Sequence, residues 1–164
     1  MKAWLGLGAN LQQPVKQLKE ALRRLGAEDR IEVLRVSSFY RTPPWGDEHQ
    51  DEFINAVVQI ETSLAPVALL HVTKSIENVM GRQRSGRRWG PRLIDIDLLL
   101  YGDKQVLSDE LELPHPRIHE RAFVLVPMSE LDASVEIPGH GVIENLLGQL
   151  DCSGICLLNE NDLD

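Results

Sequence analysis

Short apolar stretches, bounded by glycine, proline or polar residues, divide the chain into predicted strands. Residues 3–9 (AWLGLGA) are apolar and interrupted by glycines, which indicates a buried strand. Residues 31–40 alternate between apolar and polar side chains and predict a second strand, which the prolines after Thr42 end. Residues 53–61 and 93–101 are rich in β-branched and aliphatic side chains and predict two more strands.

Apolar residues at helical spacing lie between and after these strands. Residues 14–26, with proline at the first position and glycine at the last, predict one helix. Ser63 is the expected N-cap of a second helix, which Gly81 closes. Two further helices are predicted over residues 120–131 and 142–150.

The order strand, helix, strand, strand, helix, strand is that of a ferredoxin-like plait. We therefore expect an α+β fold of the ferredoxin-like βαββαβ type, with a mostly antiparallel sheet and the helices packed on one face of it. A chain of 164 residues is long enough for one domain with its own core, and we assign residues 1–164 to a single domain. Residues 151–164 are acidic and lack periodicity, so a loosely ordered tail is expected.

Composition excludes several classes of protein. The net charge of −8 argues against a general nucleic-acid binder. No apolar run approaches the roughly 20 residues of a membrane-spanning helix, and the first residues lack the apolar region of a signal peptide. We therefore expect a cytoplasmic protein without membrane contact. Cys152 and Cys156 are expected to be reduced and without a functional role, because the nearby sequence offers no partners for a metal site.

Charge is distributed unevenly along the chain. No lysine or arginine follows Arg121, whereas residues 82–92 (RQRSGRRWGPR) contain five arginines and no acidic residue. Such a cluster repels itself unless an anion binds to it. We therefore favour an anion-binding site over the alternative, a solvated surface loop.

Two aspartates follow this arginine cluster directly. Asp95 and Asp97 are two residues apart in a predicted strand, so their side chains point to the same face, while Ile94, Ile96 and Leu98 point to the core. A divalent cation relieves the repulsion between two carboxylates, and Mg²⁺ prefers one or two carboxylates together with water and phosphate oxygens. The pair predicts a metal–polyphosphate site; the other interpretation is that each aspartate pairs with an arginine or caps a turn.

Other phosphate and metal motifs are incomplete. The run GLGANL, which begins at Gly6, lacks the third glycine of a dinucleotide-binding fingerprint, and no P-loop is present. His115 and His119 are four residues apart, but Pro116 and the lack of further close ligands make zinc improbable. A hydrogen bond from His115 to an anion, or a turn cap, is the favoured interpretation.

A second pocket is indicated by the run Thr42-Pro43-Pro44-Trp45 and by the strand that follows it. Phe53 offers a flat aromatic face, and Asn55 offers both donors and acceptors, which together suit a planar heterocycle. Taken alone, Phe53 would be interpreted as a core residue and Asn55 as a strand-end residue.

Together these segments resemble one known family. The runs GLGAN, SSFYRTPPWG, FINAV, GRQRSGRRWGPRLIDIDLLLYG and LPHPRIHERAFVLVP, in this order and spacing, are similar to the 6-hydroxymethyl-7,8-dihydropterin pyrophosphokinases of folate biosynthesis. The resemblance extends from GLGAN to about residue 150. It implies a ferredoxin-like fold and a magnesium-dependent transfer of pyrophosphate from ATP to the hydroxymethyl group of 6-hydroxymethyl-7,8-dihydropterin, with release of AMP. We expect a monofunctional enzyme that acts as a monomer on these two small molecules.

The resemblance also implies roles for individual residues. Two Mg²⁺ ions are expected on Asp95 and Asp97, and the pterin ring is expected between Phe53 and Phe123. The residues expected to take part in catalysis are Arg82, Arg92, Asp95 and Asp97. Those expected around ATP are Glu77, Arg84, Trp89, Arg92, Leu98, His115 and Arg121. Those expected around the pterin are Gly8, Thr42, Pro43, Pro44, Trp45, Phe53, Asn55, Asp95 and Phe123.

Three positions depart from the family pattern, and two other functions compete with it. Lys74 and Pro116 stand where polar or aromatic residues contact ATP, and Trp45 replaces a smaller apolar residue. One alternative is another D-x-D enzyme, a metal-dependent nucleotidyl- or glycosyltransferase. The second is an RNA-binding plait, which the acidic charge and the aromatic content of only 5% disfavour.

Overall fold

The computed structural model describes residues 1–44, 49–81 and 93–163. Five strands form the body of the fold: β1 (Lys2–Ala9), β2 (Ile31–Val36), β3 (Tyr40–Thr42), β4 (Phe53–Thr62) and β5 (Asp95–Tyr101). Helix α1 (Pro14–Gly26) follows β1, and α2 (Pro66–Val79) follows β4. Both helices begin with proline, as predicted, although Ala65 takes the N-cap position expected of Ser63.

The sheet has the strand arrangement of a ferredoxin-like plait, which confirms the predicted fold class. Strand β1 pairs with β4 on one side and with β5 on the other, and β2 and β3 both pair with β4; all of these pairings are antiparallel. The predicted strand over residues 31–40 is therefore two strands. The interruption lies at Ser37, whose hydroxyl accepts a hydrogen bond from the Val57 N–H. In a continuous strand, a backbone carbonyl would accept this bond.

The two faces of the sheet are covered by different helices. On the first face, alternate strand residues such as Leu5, Val58 and Ile96 form a core with α1 and α2. On the second face, Trp4 and Val57 pack with α3 (Ala122–Asp132) and α4 (Ile143–Leu147). The prediction that the helices share one face is therefore wrong: the second face also has apolar strand residues, and α3 covers them.

The remaining elements are short. They are the hairpin β6–β7 (Val106–Leu107 and Glu112–Leu113), a 3₁₀ turn (Ile118–Glu120), the hairpin β8–β9 (Glu136–Ile137 and Gly141–Val142), strand β10 (Cys156–Leu157) and a second 3₁₀ turn (Glu160–Leu163). Residues 151–163, which the sequence predicts to be loosely ordered, thus contain a strand that pairs with β3 and a helical turn. No helix among the described residues is long and apolar enough to span a bilayer.

Candidate active site

A cavity of about 300 Å³ opens on the second face of the sheet. Its floor is formed by β1, β4 and β5, and its wall by residues on both sides of the 3₁₀ turn, from His115 to the start of α3. Helix α3 covers the part of this face around Trp4 and Val57, whereas the end of the sheet nearer Gly8 and Asp95 is open. The same face therefore provides a core at one end and a binding site at the other.

Two glycines of β1 keep the floor of the cavity free of side chains. Gly6 lies opposite Asp97 in the pairing with β5, and Gly8 lies between Asp95 on one side and Asn55 on the other. A Cβ atom on Gly8 would lie 2.6 Å from Asn55 Oδ1, which is too close for any packing. A Cβ on Gly6 would meet Leu99 at 3.5 Å, an ordinary contact. Of these two glycines, only Gly8 lies so close to a neighbouring side chain that a larger residue would not fit.

The two aspartates of β5 point into the cavity together, as the alternation predicts. Asp95 and Asp97 line the cavity, while Ile96 and Leu98 are buried in the core of the first face. Strand β5 ends the sheet, so its outer amides need partners from elsewhere. Glu77 of α2, which is only 2% exposed, accepts a hydrogen bond from the Ile96 N–H at 2.7 Å and fixes the strand between the two carboxylates.

An amide and two aromatic rings form the end of the cavity near β3. Asn55 Nδ2 donates to the hydroxyl of the buried Thr42 at 2.6 Å, which fixes the plane of the amide. Phe53, on the same face of β4, and Phe123, at the start of α3, line the same cavity. This end offers flat apolar surfaces and a fixed hydrogen-bonding edge, which suits a planar polar ring.

The opposite wall of the cavity is basic. Lys74, Arg117 and Arg121 line it together with His115. Burial, with the nearby charges of Arg121 and Arg117, lowers the pKa of His115 to about 4, so the imidazole is neutral at pH 7. Its Nδ1 accepts a hydrogen bond from the Arg117 N–H at 3.2 Å, which leaves the proton on Nε2 as a donor.

Arg121 connects the two ends of the cavity. It is 7% exposed, and burial lowers the pKa of its guanidinium, while the charges of Asp97 and Asp95 act in the opposite direction. The guanidinium carbon also lies 5.6 Å from the centre of the Phe123 ring, in a cation–π arrangement. One buried cation thus lies within the field of both carboxylates and against an aromatic wall.

The ligands available among the described residues suit a magnesium ion that keeps part of its water shell, and they do not form a site that encloses a metal ion with protein groups alone. Within residues 1–44, 49–81 and 93–163, no three His, Cys, Asp or Glu side chains come together to hold a metal. Asp95 and Asp97 supply two carboxylates beside an open cavity, and Mg²⁺ commonly uses one or two carboxylates and takes its other ligands from water and substrate phosphates. The residues therefore fit a magnesium ion that binds with its substrate.

Comparison with known proteins agrees with this geometry. Residues 4–133 match the family model for 7,8-dihydro-6-hydroxymethylpterin-pyrophosphokinase. The chain belongs to this family. A 2-amino-4-hydroxy-6-hydroxymethyldihydropteridine pyrophosphokinase of Methylorubrum extorquens is 50% identical over 154 residues, covering 94% of this chain and 96% of that protein. One from Haemophilus influenzae is 40% identical over 147 residues, covering 90% and 91%.

Solved structures agree on the fold. The crystal structure of wild-type Plasmodium falciparum HPPK-DHPS superposes with a TM-score of 0.70 at 16% sequence identity. The superposition covers 90% of this chain and 40% of the Plasmodium chain. The chain is therefore a ferredoxin-like member of the family and an enzyme of the pyrophosphokinase class, as its sequence predicts.

The structure brings most of the described site residues to one cavity. Those that line it are Gly8, Thr42, Pro43, Phe53, Asn55, Asp95, Asp97, His115, Arg121 and Phe123. Pro44, Glu77 and Leu98 do not line it: the side chain of Leu98 is in the core, and Glu77 is bonded to the backbone of β5. Trp45, Arg82, Arg84, Trp89 and Arg92 lie outside the described residues.

The structure also adds residues to the site. Lys74 and Pro116, the two departures from the family pattern near ATP, both line the cavity, as does Arg117. A polar residue on the exposed side of a predicted helix gives no sequence signal for such a role, so Lys74 could be found only through the family resemblance. Arg117 is next to the LPHP run, and its proximity to His115 in sequence was the available signal.

Proposed function

We propose that this enzyme transfers the β,γ-pyrophosphate of ATP to the hydroxymethyl oxygen of 6-hydroxymethyl-7,8-dihydropterin and releases AMP, with two Mg²⁺ ions as cofactors. The observation that carries the proposal is the single cavity in which Asp95 and Asp97 lie beside a fixed amide and two aromatic rings. One end suits a metal-bound polyphosphate and the other suits a flat heterocycle. The names of the relatives describe the same reaction class.

The pterin is proposed to bind at the β3 end. Its ring would lie between Phe53 and Phe123, and the edge of the ring would meet Asn55, whose amide Thr42 holds in place. The absence of a side chain at Gly8 lets the ring approach the sheet backbone. The exocyclic hydroxymethyl group would then point along the floor towards Asp95, which lies opposite Gly8 in the sheet.

ATP is proposed to bind at the basic end. Lys74, Arg117 and Arg121 would offset the charge of the phosphates, and His115 would donate from Nε2 to an acceptor of the nucleotide. From the sequence, Arg82 and Arg92 would add a clamp on the transferred phosphates. Asp95 and Asp97 would hold the magnesium, which when bound acidifies the substrate hydroxyl and offsets phosphate charge.

The chemistry is an in-line displacement at the β-phosphorus. The hydroxymethyl oxygen forms a bond to this phosphorus while the bond to the α-phosphate oxygen breaks, so AMP leaves with the electron pair and the hydroxyl proton is lost. His115, with a pKa of about 4, is a weak base at neutral pH. The protein therefore acts chiefly by positioning and by charge neutralisation.

We also propose that the enzyme works as a monomer in the cytoplasm. The described cavity offers groups for both proposed substrates, and Cys152 and Cys156 are free thiols, as is usual for proteins of a reducing compartment. Light scattering of the purified protein tests the first part, with a mass near 18.5 kDa expected. Twice that mass would contradict it.

AMP release tests the proposed reaction directly. Purified protein is mixed with ATP, Mg²⁺ and 6-hydroxymethyl-7,8-dihydropterin, and AMP is quantified against a control without the pterin. We expect AMP and the pterin pyrophosphate in equal amounts, and neither product without the pterin or without Mg²⁺. A nucleotidyl- or glycosyltransferase would release no AMP under these conditions, and that result would refute the proposal.

A further inference from the structure

The ring of Pro43 lies between the cavity and a distant part of the chain. Pro43 directly follows β3 and lines the cavity near Thr42 and Phe53. Against the same ring lies Gly154, from a segment that follows the last helix and that the proposed mechanism does not use. We call residues 151–163 the tail segment.

The tail segment is fixed to the fold on both sides of its strand. Strand β10 pairs with β3, with Cys156 opposite Arg41 and Leu157 opposite Tyr40. Leu158 continues this pairing: its N–H donates to the Phe39 carbonyl at 2.9 Å, and its side chain is buried in the core of the first face. These contacts hold the segment against the strand that leads to Pro43.

A tight turn brings Gly154 to Pro43. Asp151 accepts a hydrogen bond from the Ser153 N–H at 2.9 Å, and the Ile155 N–H donates to the Cys152 carbonyl at 3.3 Å. Gly154 has a φ of +83°, which favours glycine. A Cβ atom at this position would lie 3.0 Å from Pro43 Cγ and 3.5 Å from Pro43 Cδ. The glycine backbone therefore fits closely against one side of the proline ring.

We propose that Gly154 is a positioning residue for the pterin end of the site. Its turn fixes Pro43 from outside the cavity, while β10 fixes the strand that carries Thr42, the partner of Asn55. Thr42 and Pro43, the two residues that the tail segment supports in this way, both line the pterin end of the cavity. This inference rests on the proposed function, and it assigns the tail segment to pterin binding and not to ATP binding.

Gly154→Ala tests this role, with Gly139→Ala as a matched control. Gly139 has nearly the same backbone conformation, φ +81°, but a Cβ there would meet nothing within 4 Å among the described residues. Both substitutions therefore introduce a similar backbone strain, and only Gly154→Ala places a methyl group in close contact with the Pro43 ring. We expect Gly154→Ala to raise KM for the pterin by about five- to tenfold and to leave KM for ATP within about twofold. Gly139→Ala should lower Tm similarly and change neither KM.

Gly154→Asn keeps the test decisive if the alanine variant does not fold. Asparagine tolerates positive φ better than alanine but still places a Cβ against Pro43, so the same selective rise in pterin KM is expected. An unchanged pterin KM in a folded Gly154 variant, or equal changes in KM for the pterin and for ATP, would overturn the inference alone. Wild-type protein that releases no AMP would overturn the proposed function, and this inference with it.

Discussion

The two faces of the central sheet are formed by the same strands but have opposite properties. On the first face, residues such as Leu5 of β1 and Ile96 of β5 are almost completely buried beneath α1 and α2. On the second face, their immediate neighbours are Gly6, Asp95 and Asp97, which line a cavity. Because side chains alternate between the two faces of a strand, successive residues contribute in turn to the core and to the cavity.

This difference separates two kinds of mutational effect. A change on the first face removes apolar contacts and should lower the free energy of unfolding while the site keeps its shape in the molecules that remain folded. A change on the second face, within the cavity, should alter turnover or substrate binding with little effect on stability. Neighbouring residues on one strand can therefore be compared directly, because they share the same backbone.

The largest expected effect is that of Asp97→Ala. This residue is exposed in the cavity, so the fold should be retained, whereas the loss of one of the two carboxylates proposed to bind magnesium should lower kcat by about 1,000-fold or more. Steady-state AMP release and thermal unfolding give the two readouts. Asp103→Ala is the control, an exposed aspartate just beyond the end of β5 and outside the cavity, and it should retain full activity. Turnover by Asp97→Ala with normal magnesium dependence would contradict the account.

A core change on the first face should give the reverse pattern. Leu5→Ala removes a side chain with no exposed surface and should lower the free energy of unfolding by about 3 kcal/mol. Chemical denaturation measures this loss, and kcat/KM per folded molecule should remain close to that of the wild type. A large fall in kcat/KM without a loss of stability would show that the two faces are not separate.

Gly8→Ala and Gly6→Ala sharpen the comparison within the cavity. The methyl group of alanine at Gly8 would displace Asn55, and we expect KM for the pterin to rise by about tenfold. At Gly6 the methyl group only touches Leu99, so a change within about threefold is expected. Titration of both variants with the pterin at saturating ATP measures the difference. Equal effects would show that the contact with Asn55 does not control binding.

A further expected effect is a pH dependence of stability that originates in the cavity. His115 has a pKa of about 4 in the folded protein against an ordinary value of 6.5, so over that window the unfolded chain takes up a proton that the folded protein does not. Wild-type stability therefore falls as the pH is lowered from about 6.5 to about 4, and His115→Gln lacks this contribution to the fall. Thermal unfolding of both proteins is measured at about pH 7 and at about pH 4.5. Between these two pH values, the Tm of the wild type should fall by more than the Tm of His115→Gln. Parallel pH profiles would contradict the assignment.

Regular alternation made the centre of the fold predictable. The pattern around Asp95 and Asp97 indicated a strand with both carboxylates on one face and apolar residues on the other, and the structure confirms this. Helices α1 and α2 were recognisable because proline marks each first turn, and because glycine ends α1 and lies just beyond the end of α2. These signals are local, so they do not depend on the rest of the fold.

Features that depend on distant contacts were not predictable in the same way. Strands of two residues, such as β10, are too short to show a period of two, and β10 forms because β3 offers it an edge. The buried carboxylate of Glu77 has its place because β5 ends the sheet and Ile96 needs an acceptor. The family resemblance located most of the site and pointed to the position of Lys74, whereas Arg117 was placed in the site only by the cavity itself.

The most direct test of the account is a crystal structure with Mg²⁺, a non-hydrolysable ATP analogue and the pterin bound together. The account predicts magnesium coordinated by Asp95 and Asp97 and by phosphate oxygens, with the pterin ring between Phe53 and Phe123. Nucleotide bound elsewhere, or phosphates held with no metal on either aspartate, would contradict it.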